Sequence, residues 1–430
     1  MNDTIFAVSS GAPPAAIAIL RISGAGAFDA IHALTSDVPK PRTAALRALR
    51  DPASGELLDR ALVLIFPGPG SATGEDLAEL HLHGGRAVVR AVESALASLA
   101  GLRAAEPGEF TRRALTNGRI DLSEAEGLGD LLMAETEAQR RAAIRSTEGA
   151  VRREVEGWST HALMLSAQVE ALLDHGDEDD VATGADPLPA IQASASTLAD
   201  TIDAVAARPP VERLRDGLRV VLAGPPNAGK STLLNALTGR DAAIVSPVAG
   251  TTRDRIEAPV VRGGVAYLLT DTAGITANPG DAIEAIGVTR AEGALAAADI
   301  LLWLGDEAPP EHPVALWIHA RADEDGRVSN PGADLTLSAA TGAGIDMLWE
   351  RLAALSSALL PPPDLVALSA RQRDLCFAAS RALRSGVIET DLLLVAEHLR
   401  SALRAFDAIS GKAGVEAMLD ALFGRFCIGK

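Results

Sequence analysis

Cysteine is almost missing from this chain: of 430 residues only Cys376 and Cys427 carry a thiol. Two thiols cannot build a disulfide framework or, alone, a zinc site, and they fit a reducing compartment. Aromatic residues make up 3%, too few for a platform that stacks single-stranded bases. Basic residues are outnumbered, 39 Lys and Arg against 57 Asp and Glu, for a formal charge of −18. A general nucleic-acid coat is excluded by that balance, though a local basic patch is not. Long apolar runs are missing too. Ala61 to Phe66 is far short of the ~20 residues that span a bilayer. Met1-Asn2-Asp3-Thr4 lacks the basic start of a secretory signal. The expectation is a cytoplasmic protein with no membrane partner.

What is present suffices for several folded domains. Apolar residues reach 48% and charged residues 22%, which excludes wholesale disorder. Lysine occurs only at Lys40, Lys230, Lys412 and Lys430, every other basic side chain being arginine. Short apolar runs at Ala16–Ile22 and Ala61–Phe66 read as strands, and residues 86–100 have helical spacing. From about residue 119 the pattern is helical. Val151, Val155, Trp158, Ala162, Leu165, Val169 and Leu172 recur at spacings of four and three, an apolar seam on one long helix. The acidic stretch Asp174 to Asp180 ends it and reads as a solvated loop, with a metal site as the lesser alternative. Residues 217 to about 355 alternate strands, glycine loops and helices, as a parallel α/β sheet does. After Pro361-Pro362-Pro363, helices resume, with Leu392, Val395, Leu399, Leu403 and Phe406 on one face. The expected architecture is an N-terminal α+β domain (1–118), a helical domain in two segments (119–213 and 363–430), and an α/β domain (214–362) inserted between them.

The chemistry is densest in the inserted domain. The apolar strand Leu218 to Ala223 runs into Gly224-Pro225-Pro226-Asn227-Ala228-Gly229-Lys230-Ser231, and a helical stretch from Thr232 follows. This is GxxxxGK[ST] in its strand–loop–helix setting. Glycines let backbone N–H groups approach phosphates, and the helix start adds its positive dipole end. Lys230 should reach the β- and γ-phosphates, and Ser231 should hold Mg²⁺. Further on come Gly250-Thr251-Thr252-Arg253-Asp254, then Asp271-Thr272-Ala273-Gly274 after a strand, then Ser338-Ala339-Ala340. A Thr of the Thr251-Thr252 pair is suited to ligate Mg²⁺ and sense the γ-phosphate, Asp271 to hold the ion through water, Gly274 to bond the γ-phosphate, and Ser338 to Ala340 to line the base. Their order favours a GTPase over an ATPase or kinase.

Two positions depart from the usual GTPase pattern. Where Asn-Lys-x-Asp would follow a strand, this chain has Ala320-Arg321-Ala322-Asp323. Asp323 can accept from the guanine N1–H and amino group, and Arg321 can cover the base, but Ala320 has no amide. The expectation is that guanine is preferred with lowered affinity. Where many small GTPases carry a water-orienting Gln, this chain has Ile275. Glu284 reads either as a solvated helix charge or as the replacement carboxylate. Asn227 could offer an amide oxygen to a monovalent cation in place of an arginine finger.

Several of these segments together resemble the MnmE/TrmE family of tRNA-modification GTPases. They are the terminal Phe426-Cys427-Ile428-Gly429-Lys430, Leu20-Arg21-Ile22-Ser23-Gly24, Thr73-Gly74-Glu75-Asp76, His83-Gly84-Gly85, Pro107-Gly108-Glu109-Phe110-Thr111 and Ala249 to Asp254. The resemblance covers nearly the whole chain. It implies a homodimer whose N-terminal domains bind a tetrahydrofolate derivative, 5,10-methylenetetrahydrofolate or 5-formyltetrahydrofolate, and a potassium-stimulated GTPase. It also implies an FAD-dependent partner (MnmG/GidA) in a heterotetramer, and carboxymethylaminomethyl or aminomethyl transfer to C5 of the wobble uridine of certain tRNAs. By resemblance, Arg21, Glu79, Arg119 and Lys430 are folate-site residues. Asn227, Ser246, Val248 and Thr251 form the potassium loop, and Ser231 and Thr252 hold Mg²⁺. Glu284 orders the attacking water, and Cys427 takes part in the modification. The nucleotide site implied in this way runs through Asn227, Ala228, Gly229, Lys230, Ser231, Thr232, Ser246, Thr251, Thr252, Asp271, Thr272, Ala273, Gly274, Arg321, Asp323, Ser338, Ala339 and Ala340. Two other readings share the GTP loops: a GTP-gated switch in ribosome assembly, and a folate-dependent methyltransferase with a regulatory GTPase domain. The arginines Arg140, Arg141, Arg145, Arg152 and Arg153 read as a solvated face, with a tRNA-facing patch as the alternative.

Overall fold

The computed structural model describes residues 3–175, 186–239, 243–244, 257–272, 293–412 and 429. The chain divides into two compact units, residues 1–129 with 407–430, and residues 130–406.

The first unit is built on a six-stranded sheet of order β3-β4-β5-β2-β1-β6. Its strands are β1 (Thr4–Val8), β2 (Ile17–Ser23), β3 (Ala45–Arg50), β4 (Leu57–Phe66), β5 (Leu77–His83) and β6 (Leu102–Ala104). Pairing is antiparallel except for β1 with β6. Helices α1 (Ala27–Thr35) and α2 (Arg86–Ala97) are amphipathic, and they bury Ile31, Leu34, Val89 and Val92 with Leu20, Ile22, Val63 and Leu80 of the sheet. The apolar-run reading found β2 and the inner half of β4. It missed where β4 begins, because Leu57 to Arg60 mix polar and apolar residues on a strand that β3 pairs. Beyond the sheet come α3 (Glu109–Thr116) and α4 (Leu122–Met133).

A buried cation fixes the floor of this unit. The Arg113 side chain is 1% exposed, and its guanidinium donates to Asp3 Oδ1 (3.0 Å), the Asp3 carbonyl (2.9 Å), Glu75 Oε2 (3.0 Å) and Glu109 Oε1 (3.0 Å). Arg103 clamps the same Glu109 with two more bonds, at 2.6 and 2.8 Å, and reaches Asp3 at 2.6 Å. Burial pushes the Glu109 carboxyl up, but the bonds from Arg103, the Glu106 N–H and Arg113 outweigh it and hold Glu109 below its ordinary value. The Arg103 bond likewise lowers Asp3.

The second unit holds the inserted α/β sheet, seven strands in the order β13-β12-β11-β7-β10-β9-β8. These are β7 (Leu218–Ala223), β8 (Ala243–Ile244), β9 (Glu257–Arg262), β10 (Val265–Asp271), β11 (Ile300–Trp303), β12 (Ala315–His319) and β13 (Leu335–Thr336). Five of them, β13 to β10, are mutually parallel, as the α/β reading expects, while β9 and β8 add an antiparallel edge. Helix α9 (Lys230–Gly239) follows β7, and α10 (Ile345–Leu359) follows β13; Leu233, Leu237, Leu348 and Leu352 join the sheet residues in one core.

Helices flank this sheet in the sequence: α5 (Glu137–Thr147), α6 (Ala150–His175), α7 (Leu188–Ala206) and α8 (Val211–Arg215) before it, α11 (Ala370–Val387) and α12 (Leu392–Ser410) after it. The expected seam on α6 is buried from Val151 to Val169, and Trp158 meets Phe406 with ring centroids 6.2 Å apart. On α12 the buried stripe runs through Val395, Leu399, Ala402 and Phe406, leaving Leu392 and Leu403 half-covered. The arginine face is occupied by carboxylates and carbonyls. Arg140 and Arg141 pair with Glu137, Arg145 with Asp364, Arg152 with Glu156, and Arg153 donates to the Glu148 carbonyl. Short α8 is a junction: Gln139 of α5 bonds the Leu214 and Arg215 carbonyls at 3.0 Å, Glu212 accepts from Ala370 N at 2.8 Å, and Arg213 pairs with Asp299 at 2.7 Å. No described helix is long and apolar enough to cross a membrane.

Replacing Arg113 with Leu takes the shared cation from three carboxylates and should cost about 3–5 kcal/mol, read as a lower urea midpoint. The sign of the pH effect follows from the depressed carboxylates: their contribution is complete above the ordinary carboxylate range and is lost as pH falls through the lower, folded-state values. The wild-type advantage over Arg113→Leu should therefore shrink on acidification below about pH 4.

Candidate phosphate-loop and folate sites

The phosphate loop is shaped by backbone conformations that few residues tolerate. Gly224 (φ 148°) and Gly229 (φ 94°) lie in glycine territory, and Asn227 adopts a left-handed φ of 62°. A side chain at Gly224 would press on the backbone of Leu304 and Gly305, which follow β11. The loop curls around Lys230, which is buried. Its ammonium donates to the carbonyls of Gly224 (2.9 Å) and Pro225 (2.8 Å), so the loop is braced by the side chain that closes its motif. Burial pushes the Lys230 amine down, and the Asp271 charge opposes that.

Two further expected residues converge here. Ser231, exposed at the start of α9, donates its hydroxyl to the carboxylate of Asp271, at the end of β10. β10 runs parallel beside β7 with Asp271 opposite Leu222, and Thr272 is fastened to the Leu222 carbonyl at 3.0 Å. A hydroxyl and a carboxylate side by side are the hard oxygen donors that Mg²⁺ takes, so the residues fit that ion. Among the described residues no group of three or more His, Cys, Asp or Glu could hold a metal. Asn227 and Thr232 are exposed beside the loop and Ala228 is buried in the sheet core.

The base-side loops join the phosphate loop through an arginine. Arg321, itself left-handed at φ 61°, donates from Nη1 to the Asn227 carbonyl at 2.8 Å, and Glu324 grips the same guanidinium. Asp323 is exposed and held below its ordinary value first by a bond from Ser338, which lies in the loop after β13. Ala320 is buried in the core, where it offers no polar group. Ala339 and Ala340 continue the Ser338 loop, and Ser338 Oγ accepts from Thr341 N at 3.1 Å. Ser246, Val248, Thr251, Thr252, Ala273, Gly274 and Glu284 lie outside the described residues, as do Cys427 and Lys430.

In the first unit the structure pairs two of the expected folate residues. Arg21 and Glu79 face each other across β2 and β5, with bonds of 2.8 and 3.1 Å to one carboxylate oxygen, while His81 Nε2 stands 3.5 Å from the other. His81 went unnoticed in the sequence; its signal was the strand period, which puts it two residues from Glu79 on the same face. Arg119 is exposed, and its stem lies against Gly74. Gly429 (φ 94°) packs where any side chain would collide with the Val8 carbonyl, and its own carbonyl accepts from Ser9 Oγ at 2.8 Å. Val8 pairs with Leu20, the neighbour of Arg21. Among the described residues Cys376 is a free thiol, buried and pushed up to about 12 by desolvation. It is unsuited to nucleophilic work.

A mostly parallel sheet whose central strand feeds GxxxxGK[ST] into a helix, with Asp271 beside it on the next strand, defines a P-loop GTPase-type domain. That domain lies inside a helical domain that follows an α+β sheet. The family models agree: "GTP-binding protein TrmE N-terminus" matches residues 4–119 and "MnmE helical domain" matches residues 122–427. The chain belongs to the MnmE family. It is 56% identical over 429 residues to a protein of Erythrobacter litoralis (100% of both chains) and 57% identical over 433 residues to one of Rhizorhabdus wittichii (100% of this chain, 97% of the relative). Both carry the name tRNA modification GTPase MnmE. Among solved structures, a point variant of Aquifex aeolicus Era bound to GDP and AlF4⁻ is 27% identical, covering 38% of this chain and 66% of its own at a TM-score of 0.25. The fold assignment stands on this chain's own strand order.

Lys230→Ala removes the loop's internal brace along with a phosphate-facing charge. It should weaken fluorescent-GDP binding by about 100-fold or more without lowering the chain's thermal midpoint by more than a few degrees.

Proposed function

We propose that this chain hydrolyses GTP and uses the cycle in tRNA modification, as the names of its relatives indicate for those proteins. The observation that carries the reading is the braced phosphate loop, with Lys230 bonded to its carbonyls and Ser231 set against Asp271. In this reading Lys230 turns from the loop carbonyls to the β- and γ-phosphates, and the N–H groups from Asn227 to Thr232 cradle them. Ser231 and Thr252 would hold Mg²⁺, with Asp271 behind it; when bound, the ion neutralises charge on the β- and γ-oxygens. Asp323 accepts from the guanine N1–H and amino group, flanked by Arg321 and the Ser338–Ala340 loop. Ala273 and Gly274 would meet the γ-phosphate, and Glu284 would orient the attacking water. Asn227, Ser246, Val248 and Thr251 would hold K⁺, which supplies the positive charge that no arginine finger provides.

The finer chemistry belongs to the same proposal. Arg21, Glu79, Arg119 and Lys430 would hold a tetrahydrofolate derivative. Support comes from Gly429, which lies against the Val8 carbonyl, one strand from Arg21. Cys427 would take part in adding a carboxymethylaminomethyl or aminomethyl group to the wobble uridine, with an FAD-dependent partner supplying the redox step. The chain would work in the cytoplasm as a homodimer whose GTPase domains meet to hydrolyse. Its domains would be 1–118, 119–213 with 363–430, and 214–362.

GTP hydrolysis measured in KCl against NaCl tests this most economically. The wild type should turn over at least about tenfold faster in K⁺, and Asn227→Ala should abolish the difference. Equal wild-type rates in the two salts would remove the cation from the scheme. Deleting Lys430 should weaken folate binding with GTP turnover unchanged; unaltered folate affinity would count against its assignment.

A further inference from the structure

The base-side loop of this chain lacks the Asn amide, and the structure contains a substitute tie from another position. Ala320 contributes no side-chain bond because its methyl is in the apolar core. Its carbonyl, however, accepts from Arg327 Nε at 2.7 Å. The other arm of Arg327 donates from Nη2 to Asp306 Oδ1 at 2.8 Å, in the segment after β11. One guanidinium therefore fastens the start of the Ala320–Asp323 loop to the neighbouring strand's exit. Asn330 adds a bond from Nδ2 to the Asp306 carbonyl at 3.2 Å. The loop needs such a tie, since it turns through a left-handed Arg321. Asp306 is 75% exposed, so the ion pair alone contributes little. The weight falls on the charged bond to the Ala320 carbonyl, from a side chain that is itself only 19% exposed.

We propose that Arg327 is a positioning residue for guanine recognition, holding Asp323 at the base by anchoring the Ala320 carbonyl. The inference rests on the guanine-nucleotide reading given above. Arg327 acts through the loop and is not itself the group that meets the base. Two hydrogen bonds link a correctly placed Asp323 to guanine, through N1–H and the exocyclic amine. Hypoxanthine lacks the amine and offers one. A slackened loop therefore penalises GDP more than IDP.

The test is binding of GDP and IDP to the full chain by calorimetry. Arg327→Met keeps the packed stem and removes the donors. It should weaken GDP about tenfold and IDP about threefold or less, shrinking the GDP/IDP ratio by about threefold or more. Asp306→Asn, which leaves the Ala320 bond in place, should change GDP binding by less than about twofold. Arg327→Lys retains one donor and should give an intermediate ratio; it serves as the readout if the Met variant does not fold. A ratio unchanged in the Lys variant and in any folded Met variant, whether both nucleotides weaken equally or not at all, would overturn the proposal. A wild type that binds neither nucleotide would instead sink the guanine reading itself.

Discussion

A single ammonium group organises the nucleotide end of this protein. Lys230 is buried at the foot of α9, and a buried cation must find acceptors. It finds them in the Gly224 and Pro225 carbonyls, so the loop's curvature and the lysine's solvation are one arrangement. Asp271 reaches this point because β10 runs parallel to β7, and the Thr272 bond to Leu222 fixes how far. The base-side loop is then tied to the same structure through Arg321 and the Asn227 carbonyl.

The α+β sheet obeys a similar logic, a buried cation held here mainly by carboxylates. Arg113 sits where three carboxylates and a carbonyl meet, and it orders the chain start, the Glu75 loop and α3 at once. Glu75 in turn accepts from Ser23 at 2.9 Å, at the end of the strand that carries Arg21. A structural ion cluster is thus bonded to the end of the strand that carries Arg21, one member of the candidate folate pair. Gly429 shows the same economy, since only a residue without a side chain can lie on the Val8 carbonyl in that left-handed conformation.

How much of this was legible in the sequence depended on the range of the interaction. The phosphate loop was readable because a strand, a glycine loop and a helix start are contiguous, and the α6 seam because its period is local. The Arg21–Glu79 pair lies 58 residues apart in sequence and became visible only through resemblance. Arg113 looked like one basic residue among many, because nothing local distinguishes a buried arginine from a solvated one. Arg327 was invisible for the opposite reason: the departure at Ala320 could be read, but the residue that ties down the same loop is seven positions away and bonds a main-chain carbonyl. The arginine face of α5 and α6 is largely exposed, as the solvated-face reading expects, and its members are engaged by nearby acceptors.

The central claim is that the Ser231 hydroxyl and the Asp271 carboxylate together form the cation side of a phosphate site. Calorimetric titration of wild type and Ser231→Ala with GTP, in Mg²⁺ and in EDTA, tests it most directly. Wild type should bind at least about tenfold more tightly with Mg²⁺, and the variant should lose most of that gain while keeping its affinity in EDTA. An equal Mg²⁺ gain in both proteins, or none in either, would contradict the account.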